Sequence, residues 1–68
     1  MYVVMNSEKV RSLREQKGVT KRDLATEAGV SVSTSKRVER EAPVTFRTRR
    51  VVAEALDVEP SPSLGRVL

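Results

Sequence analysis

Thr20-Lys21-Arg22-Asp23-Leu24-Ala25-Thr26-Glu27-Ala28-Gly29-Val30-Ser31-Val32-Ser33-Thr34-Ser35-Lys36-Arg37-Val38-Glu39-Arg40 decides the fold. Thr20 opens a helix, and Asp23 three residues later completes a shortened capping box. Leu24, Ala25 and Ala28 form its inward stripe, and Gly29 ends it. Only Gly29, Val30 and Ser31 precede the next helical stretch. Ser31 caps that helix, which runs from Val32 to Arg40 or Glu41, with Val38 as its one large inward residue. Ser33, Thr34 and Ser35 are poor helix formers in isolation, so this helix depends on tertiary packing. A three-residue link forces the two helices to cross steeply, as a helix-turn-helix, and the second stands out as a convex ridge.

Helical patterning continues on both sides. Upstream, Asn6-Ser7 supplies cap residues, Val10 and Leu13 share a face of a helix from Glu8 to about Lys17, and Gly18 suits its C-terminal stop. Val19 reads as a buried residue in the link. Met1-Tyr2-Val3-Val4-Met5 is apolar and β-prone, a candidate short strand. Downstream, Ala42-Pro43-Val44 is a break. Thr45 caps a fourth helix to about Leu56, with Phe46, Val52, Ala53 and Leu56 on one side. Asp57-Val58-Glu59-Pro60 ends it. Ser61-Pro62 can cap a last turn, since proline suits the first helical position. Leu64, Val67 and Leu68 then either pack back, meet a partner or fray. The expected division is an extension at 1–6, a helix-turn-helix domain at 7–58 and a tail at 59–68. The expected fold class is an all-α domain of four or five helices.

Charge is uneven. The 68 residues hold 13 Lys+Arg and 9 Asp+Glu, a formal net charge of +4. Residues 20–50 are basic, with Lys21, Arg22, Lys36, Arg37, Arg40, Arg47, Arg49 and Arg50 against Asp23, Glu27, Glu39 and Glu41. Residues 51–68 are acidic, with Arg66 alone against Glu54, Asp57 and Glu59. Such a dipolar molecule draws a polyanion to one face. Arginine dominates the basic set, and its fork matches phosphate and guanine. A solvated basic surface without a partner explains the charge equally well. The ridge adds the discriminating feature, because a helix of its width fits the major groove of B-form DNA.

The quoted stretch resembles the helix-turn-helix of lambda-repressor/Cro-type (XRE-like) DNA-binding domains, through Leu-Ala-x-x-Ala-Gly-Val-Ser followed by Val-Glu-Arg. Val10 through Gly18 is similar to that family's first helix, and Val52 through Val58 to its fourth. The resemblance covers roughly residues 7–58. It implies that the start of the recognition helix faces base edges, which gives Val32, Ser33, Lys36 and Arg37. Arg37 is suited to forking onto guanine O6 and N7, Ser33 donates or accepts, and Val32 suits a thymine methyl. The alternative for Arg37 is a surface pair with Glu41, and for Val32 a plain helix start without readout. Phosphate contacts are implied for Thr20, Lys21, Thr34, Arg40, Arg47 and Arg49, with plain solvation as the alternative. These would set register and affinity rather than sequence choice. Leu24, Ala25, Gly29, Val30 and Val38 form the implied structural core of the motif. The chain departs from the family pattern at three places. Ser35 stands where an apolar residue is usual, Arg49 where one is common, and Glu41 replaces a common glycine. Glu39 matches the family and reads as structural, tied to an arginine.

The resemblance implies a cytoplasmic transcriptional regulator in a bacterial cell, working as a repressor on double-stranded DNA. Pairing on a palindromic site would make it a homodimer, with Met1–Met5 or Leu64, Val67 and Leu68 as candidate contacts. The competing reading is a protein-interaction module on the same fold, such as an antitoxin or a partner of another regulator. An enzyme is disfavoured. Without Cys or His there is no zinc finger, thiolate or imidazole chemistry, and there is no glycine-rich phosphate loop. No cofactor, metal or small-molecule substrate is expected. No apolar run is long enough for a membrane span, and no secretory leader is evident.

Overall fold

A computed structural model describes residues 2–59 and 64–67. Each of its four helices starts where a side-chain oxygen satisfies a backbone amide that the helix itself cannot. Asn6 Oδ1 accepts from the Lys9 amide at 3.0 Å and opens α1, Ser7–Lys17. Thr20 and Asp23 form a complete capping box at the start of α2, Lys21–Ala28. Ser31 Oγ accepts from the Thr34 amide at 3.1 Å and opens α3, Val32–Glu39. Thr45 Oγ1 does the same for Thr48 at α4, Phe46–Ala55. Gly18 and Gly29 close α1 and α2 in the left-handed conformation, at φ 76° and 72°. A Cβ is disfavoured there by roughly 1–2 kcal/mol.

The domain is not all-α. Three strands form an antiparallel sheet in the order β2-β1-β3, with β1 at Tyr2–Met5, β2 at Val44–Thr45 and β3 at Gly65–Val67. The candidate strand at the start of the chain is therefore present, and it is the central one. Val3 and Met5 are fully buried while Tyr2 is exposed, the alternation of a strand with one face on the core. β1 is paired with β2 on one edge and β3 on the other, so the strand-to-strand docking considered for Met1–Met5 is already satisfied within the chain. Leu64 is 2% exposed and packs back onto the core, as one of the alternatives for the tail had it. The proposed cap at Ser61-Pro62, and Leu68, lie outside the described residues.

Val3, Met5, Val10, Leu24, Val38, Val44, Val52, Ala53, Ala55, Leu56 and Leu64 form one apolar cluster, with Leu13, Ala28 and Val58 against it. Burying each of its valine, leucine or methionine side chains contributes about 1.5–3 kcal/mol. Two expected core positions differ. Phe46 is 37% exposed, whereas Val44 on β2, read from the sequence as part of a break, is 5% exposed and belongs to the core. Val19 is only half-buried.

Polar ties fix the helices relative to one another. Lys17 Nζ meets Glu27 at 3.1 Å and Asp57 at 3.4 Å, and donates to the Ala55 carbonyl. It thereby joins the ends of α1, α2 and α4. Glu39 is tied to an arginine as anticipated: Arg14 Nε lies 3.4 Å from Glu39 Oε1, with both side chains mostly buried. Glu41 adopts a positive φ of 58°. In that conformation its Oε2 accepts from both the backbone amide and the hydroxyl of Ser7, each at 3.1 Å. The family's usual glycine would fit this backbone without strain, but glutamate closes the first turn of α1.

Candidate nucleic-acid interface

The ridge predicted from the sequence is held by its neighbours. Leu24, Ala25 and Val38 are 3%, 2% and 1% exposed, Val30 is half-buried, and Gly29 makes the turn. Ser35 occupies the usual apolar position and is buried at 4%. Its hydroxyl donates to the Lys21 carbonyl at 3.3 Å, so α3 is stitched to the first turn of α2 by a satisfied polar contact. The buried hydroxyl is thus not left as an orphan donor.

The opposite face of α3 is open. Val32 is 39% exposed, and Ser33, Lys36 and Arg37 are exposed beside it. No acidic residue lies in the first turn of α3, while Lys36 and Arg37 occupy its last turn. The structure thus brings Val32, Ser33, Lys36 and Arg37 together on one short helix. Arg37 does not pair with Glu41. Its Nη2 donates to the Pro43 carbonyl at 3.1 Å, which draws the guanidinium toward β2. Four N–H groups of the fork stay free of that bond.

The other expected contacts fall into three places. Thr20 and Lys21 are exposed at the start of α2, where Lys21 shares a groove with Ser7, Glu8, Arg11 and Glu39. Thr34 is half-buried, its hydroxyl 3.1 Å from that of Ser31, and Arg40 is exposed at the end of α3. Arg47, Arg49 and Arg50 surround Phe46 on α4. The Arg49 guanidinium lies 5.2 Å from the Phe46 ring centroid, a cation–π contact on a half-buried stem.

A family model described as a helix-turn-helix domain matches residues 7–60. The chain belongs to this family. The match agrees with the lambda-repressor/Cro-type resemblance carried by Thr20 through Arg40. Among solved structures, the helix-turn-helix chain is similar to the crystal structure of the restriction-modification controller protein C.AhdI from Aeromonas hydrophila. Their identity is 34%, the alignment covers 79% of this chain and 83% of that one, and the TM-score is 0.74. A search of curated protein sequences found no match. The family match ends at residue 60, so β3 lies outside it, as does β1 at the other end.

Tyr2, placed by the sequence only within the Met1–Met5 strand and candidate dimer contact, also belongs to the surface beside α3. It is 56% exposed and lines a groove with Thr34, Arg37, Pro43, Val44, Thr45 and Thr48. The available signal was the alternation across residues 2–5, which turns Tyr2 outward once Val3 and Met5 are placed in the core.

Proposed function

We propose that this helix-turn-helix protein is a sequence-specific, double-stranded DNA-binding transcriptional regulator that acts as a repressor in the cytoplasm. The observation that carries the reading is the asymmetry of α3: Val38 and Ser35 are buried, while Val32, Ser33, Lys36 and Arg37 face outward with no carboxylate in the first turn. The similarity to a restriction-modification controller protein supports a regulatory role. In this reading α3 enters the major groove and presents Val32, Ser33, Lys36 and Arg37 to base edges. A good bidentate pair to guanine discriminates by about 1–3 kcal/mol. Thr20, Lys21, Thr34, Arg40, Arg47 and Arg49 contact phosphates and set the register. Two copies on a palindromic operator would read two half-sites a helical turn apart, and occupancy would exclude polymerase from the promoter.

Selection of bound duplexes from a random pool tests this. Recovery of a short consensus, with steeply salt-dependent binding, is the expected result. Arg37→Ala should relax preference at one base position, and Lys21→Ala should weaken all sequences alike. A chain that shifts no duplex, yet forms a salt-insensitive protein complex, would contradict the reading and favour an interaction module.

A further inference from the structure

We propose that Tyr2 on β1 is a contact to the sugar–phosphate backbone of duplex DNA, made through the groove it shares with Thr34, Arg37, Thr45 and Thr48; this rests on the DNA-binding reading above. The placement follows from pairing. Register sets Tyr2 opposite Thr45, and Thr45 is the residue that caps α4. Thr48 follows one turn on, its hydroxyl 3.1 Å from that of Thr45. Arg37 reaches the same groove from α3, held by the Pro43 carbonyl. Four hydroxyl-bearing side chains and one guanidinium thus line the groove, and no carboxylate does.

That lining complements an anion, and its position says which one. An α-helix about 10–12 Å across fills a major groove of about 12 Å, so surfaces flanking the outward face of α3 meet the phosphodiester walls. Lys21 opens α2 and is tied to α3 through its carbonyl, which accepts from the Ser35 hydroxyl at 3.3 Å. Tyr2, Thr45 and Thr48 border α3 through the groove they share with Thr34 and Arg37. A half-exposed tyrosine suits the role, because its ring covers a deoxyribose while its hydroxyl donates to a phosphate oxygen. The sheet therefore serves the interface as well as the core, by fixing Tyr2 beside the helix that reads bases.

The test compares the 68-residue chain with Tyr2→Phe, which keeps the ring and its packing, on the duplex recovered by selection and on a scrambled duplex. Binding is followed by fluorescence anisotropy over a range of salt, and thermal melting checks that the variant is folded. The expected loss is roughly ten-fold on both duplexes, as for a hydrogen bond to a charged acceptor. The salt slope stays unchanged, because a neutral donor releases no counterion, whereas Lys21→Ala lowers it by about 0.9. A set of duplexes with single methylphosphonates then locates the contact: one position weakens the wild type more than Tyr2→Phe. Wild-type binding with an unaffected Phe variant, a loss confined to the selected sequence, or equal sensitivity of both proteins at every methylphosphonate overturns the assignment to Tyr2. Absence of wild-type binding to any duplex overturns the DNA reading itself.

Discussion

Replacing Glu39 with alanine tests how α3 is anchored to α1. Arg14 Nε lies 3.4 Å from Glu39 Oε1, and the two side chains are only 13% and 12% exposed. Arg14 also donates from Nη1 to the Val19 carbonyl at 3.2 Å, a second anchor for the guanidinium. Neither Arg14 Nε nor Glu39 Oε1 has an aligned hydrogen bond. The pair is thus a charge contact in a partly dry site. Removing one partner of a fully buried pair costs about 3–5 kcal/mol, because the remaining charge is stranded. Here the loose geometry and residual exposure put the cost of Glu39→Ala lower, at roughly 2–3 kcal/mol. In a domain of this size each kcal/mol lowers Tm by about 4–8 °C, so the expected drop is on the order of 10–20 °C. Circular-dichroism melts and urea titrations measure it. The double variant Arg14→Met/Glu39→Leu should recover most of the loss, since no charge is left unpaired and both stems are replaced by apolar volume. If Glu39→Ala melts within about 2 °C of the wild type, the pair does not anchor α3.

Other outcomes follow from single contacts. The Ser7 amide and hydroxyl hold the Glu41 carboxyl below its ordinary value of 4.5. A depressed folded value stabilises the protein above pH 4.5 and is lost as pH falls through it, so Glu41→Gln should melt lower at neutral pH and show a smaller drop in Tm on acidification. A Cβ at Gly65 would meet the Val4 carbonyl oxygen at 2.6 Å and Met5 Cα at 2.8 Å, both backbone. Gly65→Ala should therefore separate β3 from β1, seen as faster amide exchange at Val4 and Arg66 and a loss of about 1–3 kcal/mol in urea titration. Gly29 has open space around a Cβ but a φ of 72°, so Gly29→Ala should cost about 1–2 kcal/mol through backbone strain alone.

The helical half of this molecule is legible in the sequence because its signals are local. Thr20 and Asp23, Ser31, Thr45, Asn6, Gly18 and Gly29 each act within one turn of where they stand, and all are found as caps or stops. The sheet is not legible to the same degree. β2 has two residues and β3 three, too few for any periodicity, and both depend on β1 far away in the chain. Val44 reads as part of a break because only its pairing with Val3 reveals the strand. Phe46 reads as core because its spacing from Val52, Ala53 and Leu56 is helical, while the fold leaves it 37% exposed under the Arg49 guanidinium. Glu41 closing the first turn of α1 is likewise a contact between residues 34 apart. On the candidate interface, the motif pattern points to α3 and its exposed residues. The tilt of Arg37 toward Pro43 and the position of Tyr2 depend on the sheet and so escape a linear reading.

The outward face of α3 is the proposed contact with DNA. Titration of the uniformly 15N-labelled chain with the selected duplex tests it most directly, by following every backbone amide. The largest shifts are expected from Val32 through Arg37, with smaller ones at Lys21 and Thr45 and little change at Val10 or Ala53 in the core. Duplex binding that leaves the amides of α3 unmoved while another surface shifts would contradict it.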